Sequence, residues 1–178
     1  VVTEKGDIIF PDQLMMIFAK DVLKNHPGRE IIFDVKCTNL LSNIINEAGG
    51  IAIMSPTGHF HIKNTLKKTN APLAGEMSGH IFFNDQWHGF DDGHYSAFRL
   101  LEIMNSLDVP LSSILNQLPK AFSTPELNIN VEEEKKFKII KDFVNKAKFE
   151  GGSKVTIDGL RVDFDDGWGL IRASNTTP

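Results

Sequence analysis

Residues 30–55 read "EIIFDVKCTNLLSNIINEAGGIAIMS", and the reading of this stretch decides the fold. "EIIFDV" is a short apolar run of β-branched and aromatic side chains, the pattern of a buried strand. "TNLLSNIINEAGG" switches to helical spacing, with Thr38 placed as an N-cap and Gly49 as a stop. "IAIMS" at 51–55 is a strand again. A strand, a helix and a strand in so short a span form a βαβ unit, and that unit requires a parallel sheet.

The alternation continues on both sides. Upstream, "PDQLMMIFAKDVLKN" has Pro11 at the first helical position and Leu14, Ile17, Phe18 and Leu23 on one face. Downstream come a basic amphipathic helix, "HIKNTLKKTN", a third strand, "APLAGEM", and a strong helix, "DDGHYSAFRLLEIMNSL", capped by Asp91 or Asp92. This gives an α/β domain with a mixed, mostly parallel sheet and flanking helices over residues 8–119. "LPKAFSTP", with two prolines, is a linker. A strand "ELNINV", a helix "EEEKKFKIIKDFVNKAK" and the segment "KVTIDGLRVDFDDGWGLIRAS" follow. Asp158-Gly159 and Asp166-Gly167 suit tight turns, so residues 120–178 are expected to form a smaller α+β domain with antiparallel strands. Residues 1–7 are assigned to the end of a preceding domain or a linker.

Composition narrows the function classes. The 178 residues are 41% hydrophobic, enough for one ordinary core or two small ones. A net charge of −4 excludes a general nucleic-acid surface but not a site for a small anion. The single cysteine, Cys37, cannot form an internal disulfide, which fits the cytoplasm. No apolar run approaches the ~18 residues of a membrane span. The chain opens on "VVTEKGDIIF" and stops at "RASNTTP", and both ends are expected to be cuts through something larger.

Loops at the carboxyl ends of parallel strands are where α/β folds place ligands. "GEMSGH" (75–80) offers Glu76, Ser78 and His80 there, a set suited to sugar hydroxyls and phosphate. "MSPTGHFH" puts His59 at a helix start, and Lys36 directly follows "EIIFDV". "RASNTTP" joins Arg172, a planar fork for phosphate, to Ser174, Asn175, Thr176 and Thr177. Each group taken alone also has a local reading as a cap, a turn or a solvated cation. His88, Asp91, Asp92 and His94 fit no compact metal-ligand spacing. Glu132 to Glu134 make the negative first turn of a helix. GxGxxG, Walker and GxSxG motifs are absent. The residues therefore suit a phosphorylated, hydroxyl-rich ligand.

In order along the chain, "VVTEKGDIIFPDQLMMIFAKDV", "IIFDVKCT", "TGH", "GEMSGH", "FDDGHYSAFRLLE" and "DGLRVDFDDGWGLIRASNTTP" resemble the α-D-phosphohexomutase family. The resemblance covers essentially the whole chain and is nearest the family's bacterial bifunctional phosphomannomutase/phosphoglucomutase branch. It implies the third domain and most of the fourth of a four-domain isomerase. Such an enzyme interconverts hexose 6-phosphate and hexose 1-phosphate, of mannose or glucose, through a 1,6-bisphosphate. Glu76 and Ser78 are then expected on the sugar's 3- and 4-hydroxyls, with His80, Lys36 and His59 beside them. Arg172, Ser174, Asn175 and Thr176 would hold the phosphate that is not being transferred. The family's phosphoserine lies in its first domain, and its Asp-rich Mg²⁺ loop ends just before the residues matching Val1. The resemblance therefore puts no catalytic nucleophile and no metal ligand in this chain, with Mg²⁺ and the glucose or mannose 1,6-bisphosphate activator served from outside it. Its implied partners are the hexose phosphate and the N-terminal domains of the same polypeptide, with no nucleic acid and no membrane. Two alternatives stay open: a non-catalytic sugar-phosphate-binding module, and a phosphoglucosamine mutase, which usually shows Gln where Met77 stands.

Overall fold

Alternation along the strands places the core on two faces of one sheet. In the computed structural model, which describes residues 1–174, Ile31 and Phe33 of β1 (Glu30–Asp34) pack on one face and Ile32 on the other. β2 (Ile51–Ser55) and β3 (Leu73–Gly75) flank β1 in parallel, and β4 (Ile81–Phe83) closes the sheet antiparallel to β3, giving the order β2-β1-β3-β4. Leu73, Ile81 and Phe83 join Ile31 and Phe33 against α1 (Pro11–Asn25), α2 (Asn39–Glu47) and α4 (Gly93–Leu107). Ala74 and Phe82 join Ile32 against Ile62 and Leu66 of α3 (His59–Thr69). Because β2 and β3 lie on opposite sides of β1, right-handed connections send α2 to one face and α3 to the other. Each fully buried Phe, Leu or Ile contributes about 1.5–3 kcal/mol, so the two faces supply most of the driving force.

α1 is buried beyond one stripe: Met15, Met16, Phe18, Ala19 and Val22 are all interior. Gly75 explains the close approach, because a Cβ there would stand 2.9 Å from Met15 Cγ. Arg99 of α4 fastens the same face, with Nη1 2.7 and 2.9 Å from the Asp85 carboxylate, Nη2 3.4 Å from Asp21, and the guanidinium 4.5 Å over the Phe83 ring. Trp87 stacks on Tyr95 at 4.7 Å and holds the loop before α4.

The chain divides into two compact units, Val1–Pro119 and a second that begins at Lys120. In the first, a short helix α5 (Leu111–Asn116) follows Pro110, within a region whose prolines suggested only a change of register. Glu4 accepts hydrogen bonds from the Ser112 backbone and hydroxyl at its first turn. The second unit contains α6 (Glu133–Lys146) and a three-stranded antiparallel sheet of β5 (Ser153–Val155), β6 (Leu160–Asp163) and β7 (Trp168–Ile171), in that order. Leu160 and Val162 are buried, and Arg161, fully buried, bonds Asp163 at 2.8 Å with its guanidinium 4.0 Å over the Trp168 ring.

One element differs from its expectation. "ELNINV" forms no strand; residues 117–132 contain neither helix nor ladder. Leu127 and Ile129, whose alternation suggested a half-buried strand, are 79% and 76% exposed. A strand is made by its neighbour, and no neighbour pairs with this segment among the described residues. No helix among those residues is long and apolar enough to cross a membrane.

Candidate functional site

β1, β2 and β3 run the same way, so their carboxyl ends open on one edge of the sheet. Lys36, His59, Glu76, Ser78 and His80 all follow these three strands, and the structure brings their loops together there.

Glu76 is the most constrained of them, with 2% of its surface exposed. Its Oε1 accepts the Gly58 N–H at 2.8 Å and its Oε2 accepts the Ser78 hydroxyl at 3.1 Å. Gly58, at φ +124°, is the N-cap of α3, so the carboxylate sits where the helix dipole favours negative charge. Each carboxylate oxygen has two acceptor sites, so one remains on each for a ligand hydroxyl. The Glu76 N–H donates to the His80 carbonyl at 2.9 Å, and the Gly79 N–H to the Glu76 carbonyl at 3.0 Å, which closes "EMSGH" into a tight turn. Ser78 and His80 are exposed on it.

Asp34, the last residue of β1, ties the three loops to one another. It is fully buried. Oδ1 accepts the Met77 N–H at 3.0 Å and the Cys37 S–H at 3.1 Å, and Oδ2 accepts the Thr57 hydroxyl at 3.0 Å. Thus a single carboxylate sets the loops that carry Lys36, His59 and Glu76. Burial first, and the Asp34 charge second, push the Cys37 thiol well above its ordinary pKa, so it stays protonated and donates. Asp12 stands behind this layer, accepting the Thr38 N–H at 3.2 Å and the Gln13 N–H at 2.8 Å; burial raises its pKa. Sequence reasoning missed Asp34, because an acid closing an apolar strand looks like its solvated end.

Asp91 and Asp92 divide the roles that the sequence left interchangeable. Asp92 caps α4, accepting the Tyr95 N–H at 3.0 Å. The Asp91 carboxylate instead faces two imidazoles, at 2.7 Å from His80 Nδ1 and 3.6 Å from His59 Nε2.

The second unit carries Arg172 and Ser174 just after β7. Arg172 Nε–H donates to Asp158 Oδ2 at 3.0 Å, which uses one of the five guanidinium donors. Gly159 makes that approach feasible: it has φ +85°, and a Cβ on it would lie 2.8 Å from Arg172 Cα. Asn175 and Thr176 lie outside the described residues. Among the described residues no group of three His, Cys, Asp or Glu side chains is arranged to hold a metal ion, so the chain offers Mg²⁺ no fitting site of its own.

Two family models match in succession. The α/β/α domain III of phosphoglucomutase/phosphomannomutase matches residues 10–122, and the C-terminal domain of the same enzymes matches residues 126–178. A phosphoglucomutase of Neisseria meningitidis is 57% identical over 180 residues, which is all of this chain and 39% of that protein. A phosphomannomutase/phosphoglucomutase of Pseudomonas aeruginosa is 53% identical over 178 residues, again all of this chain and 38% of that protein. A crystal structure of a phosphoglucomutase/phosphomannomutase family protein from Burkholderia thailandensis superposes with a TM-score of 0.92 at 53% identity, covering 99% of this chain and 37% of the other. A phosphomannomutase structure from Thermus thermophilus shares the fold alone, with a TM-score of 0.70 at 18% identity. The chain thus spans less than two-fifths of the length of these relatives. Both domain matches, taken with the strand-end loops they contain, establish that this chain belongs to the phosphoglucomutase/phosphomannomutase family.

Proposed function

We propose that this chain is the substrate-holding portion, the third domain and most of the fourth, of a phosphohexomutase. The complete protein would interconvert hexose 6-phosphate and hexose 1-phosphate of mannose and glucose through a 1,6-bisphosphate. The observation that carries this reading is Glu76: a buried carboxylate, fixed by Gly58 and Ser78, with acceptor capacity left at a strand-end edge. Glu76 and Ser78 take the 3- and 4-hydroxyls, which glucose and mannose share, so the site ignores the 2-hydroxyl that differs. His80, His59 and Lys36 line the same edge, and the two cation-capable rings suit a phosphate. In the second unit, Arg172 and Ser174, with Asn175 and Thr176, hold the phosphate that is not transferred.

Reaction then depends on positioning. These loops must accept the sugar in two opposite orientations, one for each half-reaction. Mg²⁺, held by residues outside this chain, would offset charge on the transferring phosphoryl group, and the phosphoserine also lies outside. We take the bisphosphate as the activator and the cytoplasm as the compartment; a single buried cysteine supports the latter. Residues 8–119 and 120–178 are the proposed domain limits, preceded by a linker at 1–7.

Glu76→Ala in the full-length protein tests this. Losing hydrogen bonds to a charged group, at ~1.5–3 kcal/mol each, should lower kcat/KM by roughly 10- to 1,000-fold. Mannose and glucose substrates should suffer alike. A loss confined to one of them would overturn the assignment of Glu76 to the shared hydroxyls.

A further inference from the structure

Asp91 has no remaining duty as a helix cap, because Asp92 performs it. Its carboxylate is spent on two rings from two different loops. His80 Nδ1 lies 2.7 Å from Asp91 Oδ2, and His59 Nε2 lies 3.6 Å from the same oxygen. The two rings meet edge to face, 5.6 Å apart at 90°. The His59 ring also packs edge-on against buried Phe82 at 4.9 Å, and the Phe82 backbone pairs with Asp91 through an isolated antiparallel bridge. Both histidines are joined to Glu76 by backbone: His80 through its carbonyl, and His59 as the residue after Gly58.

An ionised carboxylate only accepts hydrogen bonds, so the short contact requires a proton on Nδ1 of His80. A neutral imidazole has one N–H, and fixing it on Nδ1 leaves Nε2 as a lone pair. Unrestrained imidazoles prefer the opposite tautomer. We infer that Asp91 is a positioning residue that fixes the Nδ1–H tautomer of His80, pairs it with His59, and so presents His80 Nε2 to a ligand hydroxyl as an acceptor. This rests on the proposed sugar site for its consequence, though not for the tautomer itself. The outcome differs from that of Glu76, which accepts through a fixed charge: His80 accepts through a nitrogen whose availability a neighbouring acid sets.

The test uses the full-length protein with ¹⁵N-labelled histidine, His80 being assigned by its loss in His80→Gln. Nitrogen shifts should show Nδ1 protonated and Nε2 bare in the parent protein at a pH where the ring is neutral. Asp91→Ala should reverse the tautomer, while Asp91→Glu should keep it. Turnover of glucose 1-phosphate should fall about 10- to 100-fold in kcat/KM for Asp91→Ala, and adding that change to His80→Gln should cost less than about 2-fold more. An unchanged tautomer in Asp91→Ala, or fully additive losses in the double variant, would overturn the inference. A reversed tautomer in a protein without any mutase turnover would leave the role of Asp91 standing and sink the proposed function instead.

Discussion

Asp34→Ala and Asp34→Asn, compared side by side, test whether a buried carboxylate builds the sugar edge. Asp34 receives three hydrogen bonds, from the Met77 N–H, the Cys37 S–H and the Thr57 hydroxyl, and no water reaches it. Alanine removes every acceptor. The stranded Met77 N–H alone costs about 1–3 kcal/mol, and the thiol and hydroxyl add less because the latter can turn elsewhere, so the local loss should be about 3–5 kcal/mol. Asparagine keeps one oxygen for Met77 and Cys37, and its amide can donate to Thr57 Oγ1 once that hydroxyl rotates. It forfeits only the charge assistance, about 1–2 kcal/mol. Hydrogen exchange of the Met77 amide reads this locally: protection should fall roughly 100- to 1,000-fold or more in the alanine variant and about 10-fold in the asparagine variant. Activity should follow the same order, since a loop displaced by ~1 Å can cost about 100-fold. Equal protection of Met77 in the parent protein and Asp34→Ala would refute the idea that this carboxylate sets the loops.

Arg172→Lys should weaken binding of a hexose phosphate by about 10-fold or more while hardly changing binding of the bare sugar, because a point ammonium cannot replace a planar fork; calorimetry on both ligands checks it. Asp12 sets a pH dependence. Burial raises its folded pKa above the usual value of about 3.9, so the stability it allows is complete below that value and is lost as pH rises through the raised folded value. Asp12→Asn should therefore gain on the parent protein in melting temperature between about pH 4 and about pH 7, and a constant difference across that range would count against a buried titrating Asp12. Arg99→Met should free the loop before α4, seen as faster proteolysis near Trp87, since Asp85 and Asp21 would lose their shared cation.

Much of this was readable from residues 30–55, because apolar strands and amphipathic helices differ in period and each period names its element. The elements that escaped were short. Ile81–Phe83 is a three-residue strand directly after a glycine-rich turn, and Leu111–Asn116 is under two turns long between proline-rich segments. "ELNINV" misled because alternation records a tendency, whereas a strand needs a partner. At the site, topology did the work: Lys36, His59, Glu76, Ser78 and His80 were legible because parallel strands deliver their carboxyl ends to one edge. Asp34 and Asp91 were not, since their roles depend on partners distant in sequence. Asp34 meets Thr57 and Met77, 23 and 43 residues away, and Asp91 meets His80 and His59 across a turn and a helix start.

The most direct measurement is turnover of the full-length polypeptide, followed by phosphorus NMR with glucose 1-phosphate and then mannose 1-phosphate, each with Mg²⁺ and a catalytic amount of the 1,6-bisphosphate. The account predicts conversion of both sugars to their 6-phosphates, and no conversion by residues 1–178 alone, since the phosphoserine and metal ligands are assigned elsewhere. No turnover of either sugar by the full-length protein would contradict the mutase reading, and turnover by residues 1–178 alone would place the nucleophile within this chain and contradict the division of labour proposed for it.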